Sequence, residues 1–108
     1  MKIVEMKEWQ INDGNGNITK ENTIMVLKIL INSKKPELMP RGIDKFRLFN
    51  RLGKAFENSE KNNFLELEDG DYLFLKKTIE DEIVGNWGMN NDRAIAIELF
   101  LNPTDKKV

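Results

Sequence analysis

The chain contains no cysteine and no histidine. Without cysteine there is no disulfide, no thiolate nucleophile and no Cys-type zinc site. Without histidine the commonest general base and the commonest transition-metal ligand are missing as well. Apolar runs are short, and none reaches the roughly 18 residues that a membrane-spanning helix needs. Charges interrupt the opening segment MKIVEMKEWQ throughout, so it does not read as a signal peptide. The expected setting is cytoplasmic, with no membrane partner.

What remains for chemistry is carboxylate, lysine, hydroxyl and one tyrosine. The carboxylates come in groups: Glu66/Glu68, Asp69/Asp71 and Glu80–Glu82. Acid–base catalysis needs two carboxylates in unlike environments. These lie in strongly acidic, polar runs, so a solvated role is expected of them. A Mg²⁺ or Ca²⁺ site built from Glu68, Asp69 and Asp71 is the minor alternative. Ser33 and Ser59 have no histidine to activate them. The expectation is a non-enzyme with no cofactor.

At 108 residues, 40% hydrophobic and 32% charged, the chain suits one globular domain with a modest core. The net charge of −1 conceals an asymmetry. Residues 34–54 hold seven Lys/Arg against two acids, whereas residues 57–82 hold nine acids against three Lys. Complementary halves can meet within one fold or between copies, and a homo-oligomer is expected. The near-zero total argues against general affinity for nucleic acid.

The most informative stretch is PRGIDKFRLFNRLGKAFEN, residues 40–58. Ile43, Phe46, Leu48, Phe49, Leu52, Ala55 and Phe56 recur at helical spacing, and all but Ile43 fall on one predicted apolar face. Arg47, Arg51 and Lys54 fall on the opposite side. Arg41 and Lys45 flank the start of the helix, where free N–H groups already favour an anion. Gly42 there would let a phosphate approach the backbone closely. No Gly-rich phosphate loop occurs anywhere. The stripe reads either as a solvated face or as a surface for an anion or an acidic partner.

Around that helix, Lys2–Ile11 reads as a strand by alternation. NDGNGN, residues 12–17, is a turn by composition. Its Asp13–Asn17 stretch resembles the start of a calcium loop, but Ile18 and Ile24 stand where Gly and Glu are needed. TKENTIMVLKILIN, residues 19–32, favours a helix capped near Asn22 or Thr23, with a strand as the alternative. Pro36 and Pro40 punctuate a connector over 33–40. Ser59–Asn63 reads as a polar loop and Phe64–Leu67 as extended. Asp69 reads as the cap of a helix reaching about Val84, with Gly85 just past its end. Glu80, Asp81 and Glu82 oppose the dipole there, and Arg47 or Arg51 are candidate partners. Trp87 lies in a turn-rich loop, and a last helix, or alternatively a strand, runs to Leu101. The tail 104–108 is expected to fray. The fold class is thus mostly α (α+β), about four helices with an N-terminal strand or β-hairpin. One domain covers 1–108: a strand, turn and apolar element over 1–32, a helical part over 41–101 and a tail over 102–108.

The combination PRGIDKFR at 40–47, LELED at 65–69 with Tyr72 and Phe74-Leu75-Lys76, and WGMN at 87–90 resembles small proteins encoded by bacteriophages and prophages. The likeness spans roughly residues 38–101. It implies a viral setting in a host cytoplasm and roles such as antagonism of a host defence. It carries no catalytic signature and so transfers no functional residue.

The leading expectation is a homo-oligomeric binding protein acting through the basic helix. One variant sequesters a phosphorylated small molecule such as a nucleotide signal. Arg41, Lys45, Arg47, Arg51 and Lys54 would supply charge, and Trp87 or Tyr72 would stack on a base. The other variant docks an acidic host protein. A structural or adaptor subunit of a phage particle and a nucleic-acid-binding protein are the alternatives; Asn50 is the single polar base reader near the arginines.

Overall fold

The order of elements follows from where each stretch can satisfy its backbone. The structure, a computed structural model, describes residues 1–12, 14–35, 37, 39 and 41–105. The expected α+β fold is present: four helices, with β1 (Lys2–Glu5) and a hairpin of β2 (Glu8–Asn12) and β3 (Ile18–Asn22) at the N-terminal end. The helices are α1 (Thr23–Asn32), α2 (Ile43–Asn62), α3 (Asp69–Glu82) and α4 (Asn91–Leu101). β4 (Phe64–Leu67) follows α2, a 3₁₀ turn (Gly85–Met89) precedes α4, and β5 (Thr104–Asp105) closes the described chain.

The first ten residues form two strands rather than the single one expected. Lys7 breaks the run because its backbone turns to α1. Its carbonyl accepts from the Thr23 N–H at 3.1 Å, and its N–H donates to Thr23 Oγ1 at 3.0 Å. In the turn, Gly14 and Gly16 take φ of 84° and 85°, a region other residues avoid. Asn12 Oδ1 accepts from the Gly14 N–H at 3.0 Å. Asp13 lies outside the described residues, so the calcium-loop likeness falls partly there.

Both readings of residues 19–32 hold, in succession. Strand β3 ends at Asn22, whose side chain accepts from the Met25 N–H at 3.0 Å and caps α1. Ile24, Val26, Leu27, Leu30 and Ile31 are then buried, while Lys28 and Asn32 face out. α2 runs through the stretch expected as a polar loop. Ser59 is buried and donates to the Phe56 carbonyl, and Asn63 ends the helix with φ of 62°. Glu68, not Asp69, occupies the position before α3, leaving Asp69 and Asp71 in the first turn, where negative charge is favourable to the free N–H groups. α3 stops at Glu82 rather than Val84, and Gly85 opens the 3₁₀ turn. Asn90 caps α4 by accepting from Arg93 N–H at 3.2 Å.

β1 is the central strand of the order β4-β1-β5, antiparallel to both neighbours. Val4 pairs with Leu65 and Lys2 with Leu67, which points Val4, Leu65 and Leu67 at the core. α2 packs on β4, α4 on β1, and α1 on α3 and α4. Phe100 is fully enclosed, stacked on Tyr72 with centroids 5.0 Å apart. Thr104 and Asp105 pair with Ile3 and Lys2, so this part of the expected tail is ordered into the sheet. Residues 106–108 lie outside the described set.

Ion pairs tie distant elements. Arg93 donates from Nε and Nη2 to Glu21 at 2.7 and 3.1 Å, and the Glu21 side chain is only 7% exposed. Arg51 donates to both Asp71 oxygens at 3.0 and 2.9 Å. At the sheet edge Lys2 donates to Asp105.

Removing one member of a buried pair strands the other. Arg93→Met is therefore expected to lower unfolding free energy by about 3 kcal/mol in urea titration, whereas Lys20→Ala, which loses only an exposed pair with Glu8, leaves the midpoint unchanged. The Lys2 hydrogen bond, ahead of its charge, holds the Asp105 carboxyl below its ordinary value of 3.8. The same bond raises Lys2. The clasp thus contributes above the carboxylate range and fades as pH falls through the depressed Asp105 value; at the alkaline end it fades as pH rises through the raised Lys2 value. Carbon NMR titration of Asp105 should give a midpoint under 3.8, and Lys2→Met should move it back up.

Candidate docking surface on the basic helix

α2 has two sides because its core stripe is narrow. Leu48, Leu52, Phe56 and Ser59 are buried at helical spacing against β4 and the core. Phe49 is half-buried and meets Phe74 edge-on at 5.6 Å. The apolar face expected from sequence was broader. Phe46 does not join it and is 68% exposed, while Ile43, expected off that face, is 61% exposed. At 100° per residue Ile43, Arg47, Asn50 and Lys54 share an arc of about 60° opposite the core, with Phe46 at its margin. All five are exposed.

The cations along α2 and just ahead of it differ in what they meet. Arg41, Lys45, Arg47 and Lys54 form no ion pair among the described residues. Arg51 is different. Its fork is taken by Asp71, and Glu68 lies 3.8 Å from Nε. The Asp71 hydrogen bond, then the surrounding acids, hold its guanidinium more firmly protonated than usual. Arg51 therefore serves the α2–α3 junction. Conversely, the acids of the minor metal alternative already hold cations from their own chain: Glu68 and Asp71 hold Arg51, and Asp69 lies 3.4 Å from the Met1 ammonium. Neither Arg51 nor Arg47 forms an ion pair with Glu80–Glu82; the pair made there is Lys77–Asp81, at 3.3 Å along α3.

The two rings expected to stack on a base both face α4. Tyr72 is 4% exposed and donates its hydroxyl to the Phe100 carbonyl at 2.9 Å. Burial pushes its phenol up, so it stays a donor at neutral pH. Trp87 is half-buried, with the Arg93 guanidinium 4.5 Å from its ring centroid. The structure thus places Arg47 and Lys54 on one flank of α2, with Lys45 on the other side of its first turn and Arg41 ahead of the helix, and leaves Tyr72 and Trp87 in other contacts.

No protein-family model, curated protein or solved structure matches this chain. Sequence reasoning missed Glu21, Asp71 and Arg93 as fold-bearing charges. Glu21 and Arg93 are 72 positions apart, and nothing in local spacing links them.

Beyond the helix itself, a groove of about 330 Å³ is lined by α2, β4 and the start of α3, with Arg51 and Lys54 among its lining. It lies beside the exposed flank, not across it.

Tyr72 belongs to the core, so Tyr72→Phe should cost about 1 kcal/mol through the lost hydrogen bond. Thermal or urea unfolding would register that loss, while any binding through α2 stays at the wild-type level.

Proposed function

We propose that the protein is a non-enzymatic binding module that docks an acidic protein surface through α2. The observation that carries this reading is the exposure of Phe46 and Ile43, 68% and 61%, beside cations that no acid in the described fold neutralises. A large aromatic left in water on a helix costs about 2–3 kcal/mol relative to burial. A partner that covers it recovers that term. Aromatic and arginine side chains are also the residues on which interface energy concentrates.

Charge selects the partner. Arg41, Lys45, Arg47 and Lys54 steer toward acid and away from basic surfaces. The phosphorylated-ligand variant has less support, because the fork of Arg51 is occupied and both candidate stacking rings are engaged with α4. Nucleic-acid readout has less again, since Phe46 and Ile43 sit beside Asn50, where polar base readers would be wanted. In the phage setting that the sequence resemblance implies, the acidic partner is a host protein in the host cytoplasm. Self-association is compatible with this reading, because residues 57–82 of a second copy are themselves acidic.

The test is photo-crosslinking from position 46 in cells, followed by calorimetry on the purified pair. Phe46→Asp and Arg47→Glu should each weaken binding at least about tenfold, and binding should fall with salt. Leu73→Asp, exposed on α3, should leave it unchanged. A partner whose affinity ignores both α2 substitutions would sink the proposal. So would native mass spectrometry showing a bound small molecule with no protein partner.

A further inference from the structure

α2 carries a second stripe beside its buried one. Phe46, Phe49, Gly53 and Phe56 follow at spacings of three, four and three residues. At 100° per residue they fall within about 80° of one another, the pattern of a helix–helix seam. The fold does not treat the four alike. Phe46 is 68% exposed, Phe49 is half-buried and Phe56 is buried. Gly53 is exposed, and a Cβ placed there would meet nothing within 4 Å.

At Gly53 a cleft of about 260 Å³ opens between α2 and α1. Phe49, Leu52 and Phe56 line it from α2, and Lys28, Ile31 and Asn32 from α1. That volume is below the roughly 300–1,000 Å³ of sites that enclose a small ligand, and it suits one large apolar side chain. Glycine is a poor residue for a helix interior; at position 53 it leaves the cleft open.

α2 thus carries a knob and a hole on one stripe. Seven residues separate them, about 10 Å along the axis. In an antiparallel pair of α2 helices centred between Phe49 and Asn50, Phe46 of each copy comes level with Gly53 of the other. Both knobs then meet both holes at once, as a two-fold interface requires. The two Phe49 rings come together near the symmetry axis.

Charge follows the same symmetry. Glu57 and Glu60, exposed near the end of α2, form no ion pair among the described residues, and neither does Arg41 just ahead of its start. In the antiparallel pair Glu57 comes level with Gly42 of the other copy, one residue from Arg41. A parallel pair would instead set Arg41 against Arg41 and Glu57 against Glu57.

We propose that a second copy of the chain docks on this face, as an antiparallel α2–α2 dimer with each Phe46 seated at Gly53 of the other copy. This deepens the reading of α2 as a docking surface and rests on it. The acidic surface assigned here is the end of α2 in a second copy, and a foreign acidic protein competes for the same Phe46.

The experiment is sedimentation of the purified full chain from about 1 µM to about 1 mM, joined to photo-crosslinking from position 46 between isotope-labelled and unlabelled copies. A concentration-dependent dimer is expected, with crosslinks landing on residues 49–56 of the other copy. Phe46→Asp should weaken dimerisation at least about tenfold. Gly53→Gln should weaken it as much by filling the cleft, without lowering the thermal midpoint, since glutamine is the better helix former. Arg41→Glu and Glu57→Arg should each weaken it about threefold or more. Mixing those two variants should restore it, because each contact across the mixed pair joins opposite charges. A chain that stays monomeric up to about 1 mM overturns the inference, and leaves the docking reading standing if position 46 still crosslinks a foreign acidic protein in cells. If it crosslinks nothing, both fail. A dimer indifferent to Phe46→Asp and Gly53→Gln overturns the inference too, as do crosslinks from position 46 confined to α3 of the other copy.

Discussion

The Glu21–Arg93 pair is the contact on which the N-terminal half depends. A two-stranded hairpin is marginal by itself in water. Here β3 carries a carboxylate inward, at a register position opposite Trp9. That burial is tolerable only because Arg93 supplies two hydrogen bonds and a full charge. Arg93 is in turn held over the Trp87 ring, 4.5 Å from its centroid. One guanidinium thus joins the hairpin, the 3₁₀ turn and the first turn of α4. Lys7 reinforces the junction, with its backbone bound to Thr23 and its ammonium 3.5 Å from Asp92. The Trp9 indole N–H is buried there without a partner among the described residues, a local cost of about 1–3 kcal/mol that the surrounding packing offsets.

With that frame set, α2 is left with more surface than the core can use. Its inner stripe is complete with Leu48, Leu52, Phe56 and Ser59. Its first turn projects beyond that stripe, which is why Ile43 and Phe46 remain in water. One flank cation, Arg51, is used to anchor Asp71 at the start of α3, where the carboxylate also meets the helix dipole. The other cations are left to the solvent side. The same helix, packed on β4, leaves a groove of about 330 Å³ beside them. Binding surfaces of this kind arise where a structural element is longer or richer than its packing requires.

Much of the element order was legible because it rests on local physics. The glycines of residues 12–17 and the cap at Asn22 are short-range signals, and both stand in the structure. The 3.6-residue spacing of α2 was equally plain. Legibility failed where two elements abut. Residues 19–32 looked like a choice between strand and helix, yet the chain uses both, switching at Asn22. In α4 the alternation of Ile95, Ile97, Leu99 and Leu101 permitted a strand, but the buried set is Ala96, Ile97 and Phe100, a helical spacing. Ser59 looked polar and loop-like; its hydroxyl bonds back to Phe56 and hides inside the helix.

What the sequence alone determined is the class of the molecule: one small α+β domain, no cysteine or histidine chemistry, a basic helix and an acidic stretch. Those follow from composition and periodicity, which act over a few residues. The tertiary structure decided which charges are spent and which are free. Arg47 and Arg51 are four positions apart and alike in sequence, yet one meets Asp71 and the other meets water. Tyr72 and Phe46 are both aromatics at helical spacing, yet one is enclosed against Phe100 and the other stands exposed. Charge pairing and burial depend on neighbours brought from far along the chain, and no local pattern encodes which neighbours those will be.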